Sequence, residues 1–148
     1  MCIKKEKIVL VEDDPDHAML IMDILEMVDI DKEVLLLKDG QAAIEYLQKV
    51  DSQNNAGIDS HIDMVLLDLN LPKVHGMDVL KFIKSKSNVC LIPVVIVSTS
   101  DDTETIEDAY KNGACGFITK PLAYEDFVEK IKNLKQYSWN RVGIFIKS

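Results

Sequence analysis

No apolar run in the sequence approaches the ~20 residues that a membrane span requires. The N-terminus, Met1 to Lys7, is charged and leads straight into a short apolar strand, so the longer apolar core of a signal peptide is missing as well. Cysteine is scarce: Cys2, Cys90 and Cys115 are odd in number and widely spaced, with no pair at metal-ligand spacing. They read as buried or incidental thiols in a reducing cytoplasm rather than as a redox device. Basic charge is short too, with 17 Lys and Arg against 25 Asp and Glu and a formal net charge of −8. Polyanion binding is driven by clustered Lys and Arg, so the balance argues against nucleic acid as a direct partner. Internal repeats and low-complexity tracts are absent. What remains is a 148-residue chain, 47% hydrophobic and 28% charged, which suits one globular domain. Its acidic balance suits a protein that holds a cation.

Four short apolar runs stand out, Ile8–Val11, Val34–Leu37, Met64–Leu67 and Val94–Val97, with a weaker fifth, Cys115–Ile118, after the Asn112–Gly113 helix stop. They are uninterrupted rather than alternating, as expected of parallel strands covered on both faces. Helical spacing fills the intervals. Leu20, Ile21, Ile24, Leu25 and Val28 mark one helix face, Val79, Leu80 and Ile83 another, and Phe127, Val128, Ile131 and Leu134 the last. Asp14 before Pro15 reads as an N-cap with Pro at the first helical position, and Asp101-x-x-Glu104 as an acidic capping pair. The order β-α, five times over, predicts an α/β doubly wound parallel sheet of five strands, with the order 2-1-3-4-5 as the fold-level expectation. The polar stretch Asp51–Ile62 reads as a long surface loop, and 137–148 as an apolar tail.

Ligands of open parallel sheets sit beyond the carboxyl ends of the strands. There the sequence places Glu12, Asp13 and Asp14 after the first run, and Asp68, Leu69 and Asn70 after the third. Ser98, Thr99 and Ser100 close the fourth run, and Thr119, Lys120 and Pro121 the fifth. Two like charges ~4 Å apart repel by about 4 kcal/mol at an effective dielectric near 20, so clustered carboxylates must take up protons or a cation. Oxygen ligands without Cys or His favour a hard ion such as Mg²⁺, held by Glu12, Asp13 and Asp68 with the Asn70 carbonyl as a further ligand. In that setting Asp68 is a candidate phosphoryl acceptor, with Lys120 neutralising phosphoryl charge and Ser98 donating a hydrogen bond. A Gly-rich turn is missing after the first run, where EDDPDH stands, which disfavours dinucleotide binding.

These residues resemble the response-regulator receiver (CheY-like) family over about Glu6 to Leu134, through IVLVEDDP, VLLDLNLP with Gly76 following, PVVIVSTS and GACGFITKP. The resemblance implies that a sensor histidine kinase or phosphotransfer protein phosphorylates Asp68, and that Glu12, Asp13 and the Asn70 carbonyl form the Mg²⁺ site. It implies Ser98 and Phe117 as the switch pair, Lys120 as the phosphate-contacting lysine, and a cis bond before Pro121. The loop before the third strand, LDLNLP, STS and the YSW tail look like stand-alone regulators paired with phytochrome-type and related hybrid kinases, which often form homodimers. Only 14 residues follow Leu134, so no output domain is expected, and a cytoplasmic receiver acting by contact on an unknown protein target follows.

Two residues depart from the family pattern. His75 precedes Gly76 where Asp or Asn is common, and Phe117 lacks the hydroxyl of Tyr. His17, His61 and His75 are scattered and read as surface residues. A phosphatase of the haloacid-dehalogenase type needs a second Asp two positions after the nucleophile, where Asn70 stands, so separate substrate turnover is not expected. A pseudo-receiver lacks the acceptor, the acidic pair or the lysine, and all are present here.

Overall fold

An uninterrupted apolar strand needs cover on both faces, and the architecture supplies it. The computed structural model describes residues 7–27, 33–53 and 62–120, with 125, 128–129 and 132–133 beyond them. The strands are β1 (Lys7–Val11), β2 (Glu33–Leu37), β3 (Ile62–Leu67), β4 (Val94–Ser98) and β5 (Gly116–Thr119). Between them lie α1 (Pro15–Met27), α2 (Gly40–Gln53), α3 (Gly76–Lys84), a 3-10 turn at Val89–Leu91, and α4 (Thr103–Lys111). All pairings are parallel, in the order β2-β1-β3-β4-β5.

Successive strand side chains point to opposite faces. Val9, Val65 and Ile96 therefore pack with Leu47 of α2, Leu80 of α3 and Ala109 of α4. Leu10, Leu66 and Val97 pack on the other face with Ile21 and Ile24 of α1, and with Val128. Burying each such Val, Ile or Leu is worth roughly 1.5–3 kcal/mol. The edge strands are less fully covered: the five residues of β2 are exposed or half-buried and three of the four in β5 are half-buried, because nothing pairs with their outer sides among the described residues.

Several boundaries differ from the sequence expectation. Residues 51–53, expected in a loop, continue α2, where Gln48 and Ser52 bond side chain to side chain and the Asp51 carboxylate accepts the Asn88 and Val89 amides. β3 begins at Ile62 rather than Met64 because Asp63, which interrupts the apolar run, is itself buried in the strand. β5 begins one residue late, at Gly116, which pairs with Val95. Asp14 caps α1 as expected, accepting the Asp16 amide at 2.9 Å and the His17 amide at 3.3 Å. The α4 cap is Asp102, not Asp101: its extended backbone lets Oδ2 accept the Thr105 amide at 3.1 Å. Leu20, assigned above to the buried face of α1, is 38% exposed, and Ala18 takes its place.

Residues 125, 128, 129, 132 and 133 are helical. Val28, Phe127, Ile131, Leu134, residues 54–61 of the expected loop (His61 among them), residues 137–148 and Pro121 with its expected cis bond lie outside the described residues. Among the described residues no helix is long and apolar enough to cross a membrane.

Candidate functional site

Parallel register brings the carboxyl ends of the strands to one edge. Val11 pairs with Leu37 and Leu67, so Glu12 and Asp68, the next residues of β1 and β3, become neighbours. Ser98 pairs with Thr119, and the Lys120 amide bonds the Ser98 carbonyl. Glu12, Asp68, Ser98 and Lys120 are each at most 5% exposed, four polar side chains buried at one sheet edge. Asp13 is exposed.

Carboxylate oxygens of Glu12, Asp13 and Asp68 lie within 4.8 Å of one another. Each of the two buried carboxylates divides its oxygens between backbone and side chain. Glu12 Oε2 accepts the Asp14 amide at 3.2 Å, and Asp68 Oδ1 accepts the Asn70 amide at 3.1 Å. The second oxygens, Glu12 Oε1 and Asp68 Oδ2, face the Lys120 ammonium at 2.9 and 3.4 Å. Burial pushes the Glu12 carboxyl up to about 7; Lys120 opposes the rise and the Asp68 charge adds to it. One ammonium thus leaves the three-carboxylate cluster with an excess of negative charge. Oxygen donors in this number, with more negative charge than one ammonium balances, fit a hard divalent cation.

The remaining sequence candidates surround this centre. Ser98 Oγ accepts the Ser100 amide at 3.1 Å, and Asn70 Nδ2 donates to Thr99 Oγ1 at 3.2 Å, joining the loops after β3 and β4. Asp14 stays half-buried as the α1 cap and is not one of the clustered ligands. Phe117 lies in register with Ile96, two residues before the end of β5, and packs half-buried on the α2–α4 face; Thr119, not Phe117, pairs with Ser98. Gly76 is required where it stands, because a Cβ there would collide with the Asp68 carbonyl oxygen.

Two histidines are more than surface residues. His75 caps α3, its Nδ1 accepting the Met77 amide at 3.1 Å. His17 reaches the site itself, with Nδ1 3.0 Å from Lys120 Nζ. The signal for His17 is present in the sequence: side chains in a first helical turn tilt toward the helix N-terminus, and α1 starts at the sheet edge that carries Glu12.

The model of the response regulator receiver domain family matches residues 8–132. The chain belongs to the response regulator receiver family. Receivers are the phosphoryl-accepting modules of two-component phosphorelays, supplied by histidine kinases or phosphotransfer proteins, and they bind a divalent metal at an acidic pocket. The receiver is 40% identical over 136 residues to "Probable methanogenesis regulatory protein FilR2" of Methanothrix harundinacea, covering 90% of this chain and 85% of the relative. It is 32% identical over 130 residues to response regulator Rcp1 of Synechocystis sp., covering 88% and 86%. Rcp1 has a solved Mn²⁺-bound form, matched with a TM-score of 0.76 at 30% identity over 96% of this chain and 99% of that one. The phosphorylated cyanobacterial phytochrome response regulator RcpA superposes with a TM-score of 0.78 at 34% identity, covering 97% and 99%.

Proposed function

We propose that Asp68 is the phosphoacceptor of this receiver, taking its phosphoryl group from a phosphohistidine of a sensor kinase or phosphotransfer protein. The observation that carries this reading is the meeting of Asp68, Glu12 and Lys120 in one buried cluster. Asp68 Oδ2, the oxygen not tied to backbone, attacks phosphorus in line. An O–P bond forms and the P–N bond of the donor breaks. Its electron pair goes to the imidazole nitrogen, and the product is an acyl phosphate. Glu12, Asp13, Asp68 and the Asn70 carbonyl would hold Mg²⁺, which supplies positive charge to the phosphoryl oxygens when bound. Lys120 turns from the carboxylates to a phosphoryl oxygen, and Ser98 gives up the Ser100 amide to donate to another.

Ser98 and Phe117 share one face of adjacent strands, so movement at the Ser98 hydroxyl repacks the α4–β5 side and alters the surface a partner reads. Likeness to phytochrome response regulators supports a sensor kinase of that type as the donor. The receiver modifies itself and turns over no separate substrate: Asn70, whose amide group is held by Thr99, is not a general acid.

The test is intact mass after exposure to a small phosphodonor such as acetyl phosphate. Wild type with Mg²⁺ should gain one phosphoryl group, whereas wild type in EDTA and Asp68→Asn should gain none. Undiminished uptake by Asp68→Asn would overturn the assignment. Size-exclusion of the same samples reads whether modification drives pairing of two copies.

A further inference from the structure

Lysine ends in three N–H donors and has no acceptor. In this receiver all three are engaged by side chains: Glu12 Oε1 at 2.9 Å, Asp68 Oδ2 at 3.4 Å and His17 Nδ1 at 3.0 Å. Because an ammonium can only donate, the short third contact makes Nδ1 the lone-pair nitrogen of His17 and leaves the ring hydrogen on Nε2. The imidazole is half-exposed, with 39% of its side chain open, while the ammonium it meets is buried. His17 therefore closes the outer side of the pocket over Lys120.

The three partners differ in what becomes of them during the reaction. On the assignment of Asp68 as acceptor, its oxygen becomes part of the acyl phosphate, and Glu12 turns to the metal. Both carboxylates then weaken their hold on the ammonium. His17 carries no negative charge, is a poor ligand for a hard ion such as Mg²⁺, and is fixed by the first turn of α1, whose cap is Asp14. Nothing in the transfer itself therefore requires this third contact to weaken. A flexible four-carbon stem loses rotamer freedom when pinned, so a retained contact matters for the step in which Lys120 changes partners.

We propose that His17 is a positioning residue for phosphoryl transfer: its Nδ1 keeps the Lys120 ammonium in the pocket while that ammonium passes from Glu12 and Asp68 to the phosphoryl group. This rests on the Asp68 reading. A carboxylate at position 17 would instead compete for the ammonium, and an apolar side chain would leave one donor unpaired.

Two near-isosteric variants separate the idea from a packing effect. In His17→Asn, Oδ1 sits where Nδ1 was; His17→Leu fills similar space with no acceptor. The full chain is assayed with acetyl phosphate at saturating Mg²⁺, resolving donor KM from maximal rate. Mg²⁺ affinity is measured by calorimetry. The Leu variant should lose about tenfold in maximal rate, the size of one hydrogen bond to a charged group, and the Asn variant should return to within about twofold of wild type. Mg²⁺ affinity should be unchanged in both. Equal rates for Leu and wild type, or an Asn variant as slow as Leu, would overturn the proposal while leaving Asp68 as acceptor. No uptake by wild type, or uptake by Asp68→Asn, would overturn both.

A second readout needs no reaction and no folded Leu variant. In metal-free protein above neutral pH, ¹⁵N NMR should find His17 as the Nε2–H tautomer with a hydrogen-bonded Nδ1, and Lys120→Met should abolish that signature. An Nδ1–H tautomer in wild type would refute the contact.

Discussion

The two ends of the sheet hold charge in opposite ways. At the end where β4 begins, the Lys84 ammonium donates to the Cys90 and Ile92 carbonyls, each at 3.0 Å. Nearby, Asp51 Oδ1 accepts the Asn88 and Val89 amides at 2.8 and 3.0 Å. At the end where the strands finish, Lys120 is held by three side chains. Backbone partners cannot leave without unfolding their turn, so Lys84 is a fastener. Side-chain partners can exchange, so Lys120 can follow charge as it moves. Lys120 is buried and Lys84 half-buried, and desolvation holds the Lys84 ammonium below the usual lysine range. The two lysines thus differ in the kind of partner as well as in the degree of burial.

The strongest way to break this contrast is to remove each lysine in turn. Lys120→Met should slow Asp68 phosphorylation by about a hundredfold, as for the loss of one preorganised donor to developing charge, measured by intact mass against time. Lys84→Met should leave that rate unchanged but lower unfolding free energy by roughly 1–3 kcal/mol in urea, because two carbonyls lose their partner. If Lys84→Met slowed phosphorylation as much as Lys120→Met, the distinction would collapse. A comparable loss of stability, roughly 1–3 kcal/mol, is expected for Gly76→Ala. There the added Cβ forces the Asp68 carbonyl away, so metal affinity should fall as well.

The exchangeable end should also respond to pH near neutrality. In EDTA, Glu12 binds its proton more tightly folded than unfolded, since its value rises from 4.5 to about 7. Below the unfolded value both states are protonated and nothing is lost. As pH climbs toward and through 7, the unfolded chain releases its proton first and stability falls, by on the order of 1–3 kcal/mol. Urea melts of wild type against Glu12→Gln should isolate this slope, and Mg²⁺ should remove it by favouring the carboxylate. The capping carboxylates Asp14 and Asp102, and Asp39, whose Oδ1 accepts the Ala42 amide at the start of α2, run the other way. Backbone amides hold them below the usual range, so their contribution is present at neutral pH and fades only in acid. Smallest of all is the α3 cap: His75→Ala should cost roughly 1 kcal/mol, and His75→Asn, which keeps an acceptor, much less.

The sheet was legible because β1, β3 and β4 are buried on both faces and write that into unbroken apolar runs. The edges were less so. β2 has the same composition without the same cover, and Asp63 hid the start of β3. Glu12, Asp68, Ser98 and Lys120 were legible from their places at strand ends. Their division into backbone-fixed and exchangeable oxygens was not, because it depends on how Asp14 and Asn70 turn their amides. His17 reads as a surface residue in the sequence because a histidine five residues beyond Glu12 carries no motif of its own. Its meaning comes from α1 starting where β5 ends. Asp101 and Asp102 illustrate a simpler ambiguity: two adjacent acids each offer a cap, and the backbone conformation at 102 decides between them.

Partner exchange at Lys120 is tested most directly by a crystal structure of the chain with Mg²⁺ and beryllofluoride. The prediction is a fluoride on Asp68 within hydrogen-bond distance of Lys120 Nζ, with Glu12 Oε1 released and His17 Nδ1 retained. A bound beryllofluoride with the ammonium still on Glu12 and out of reach of every fluoride would contradict it.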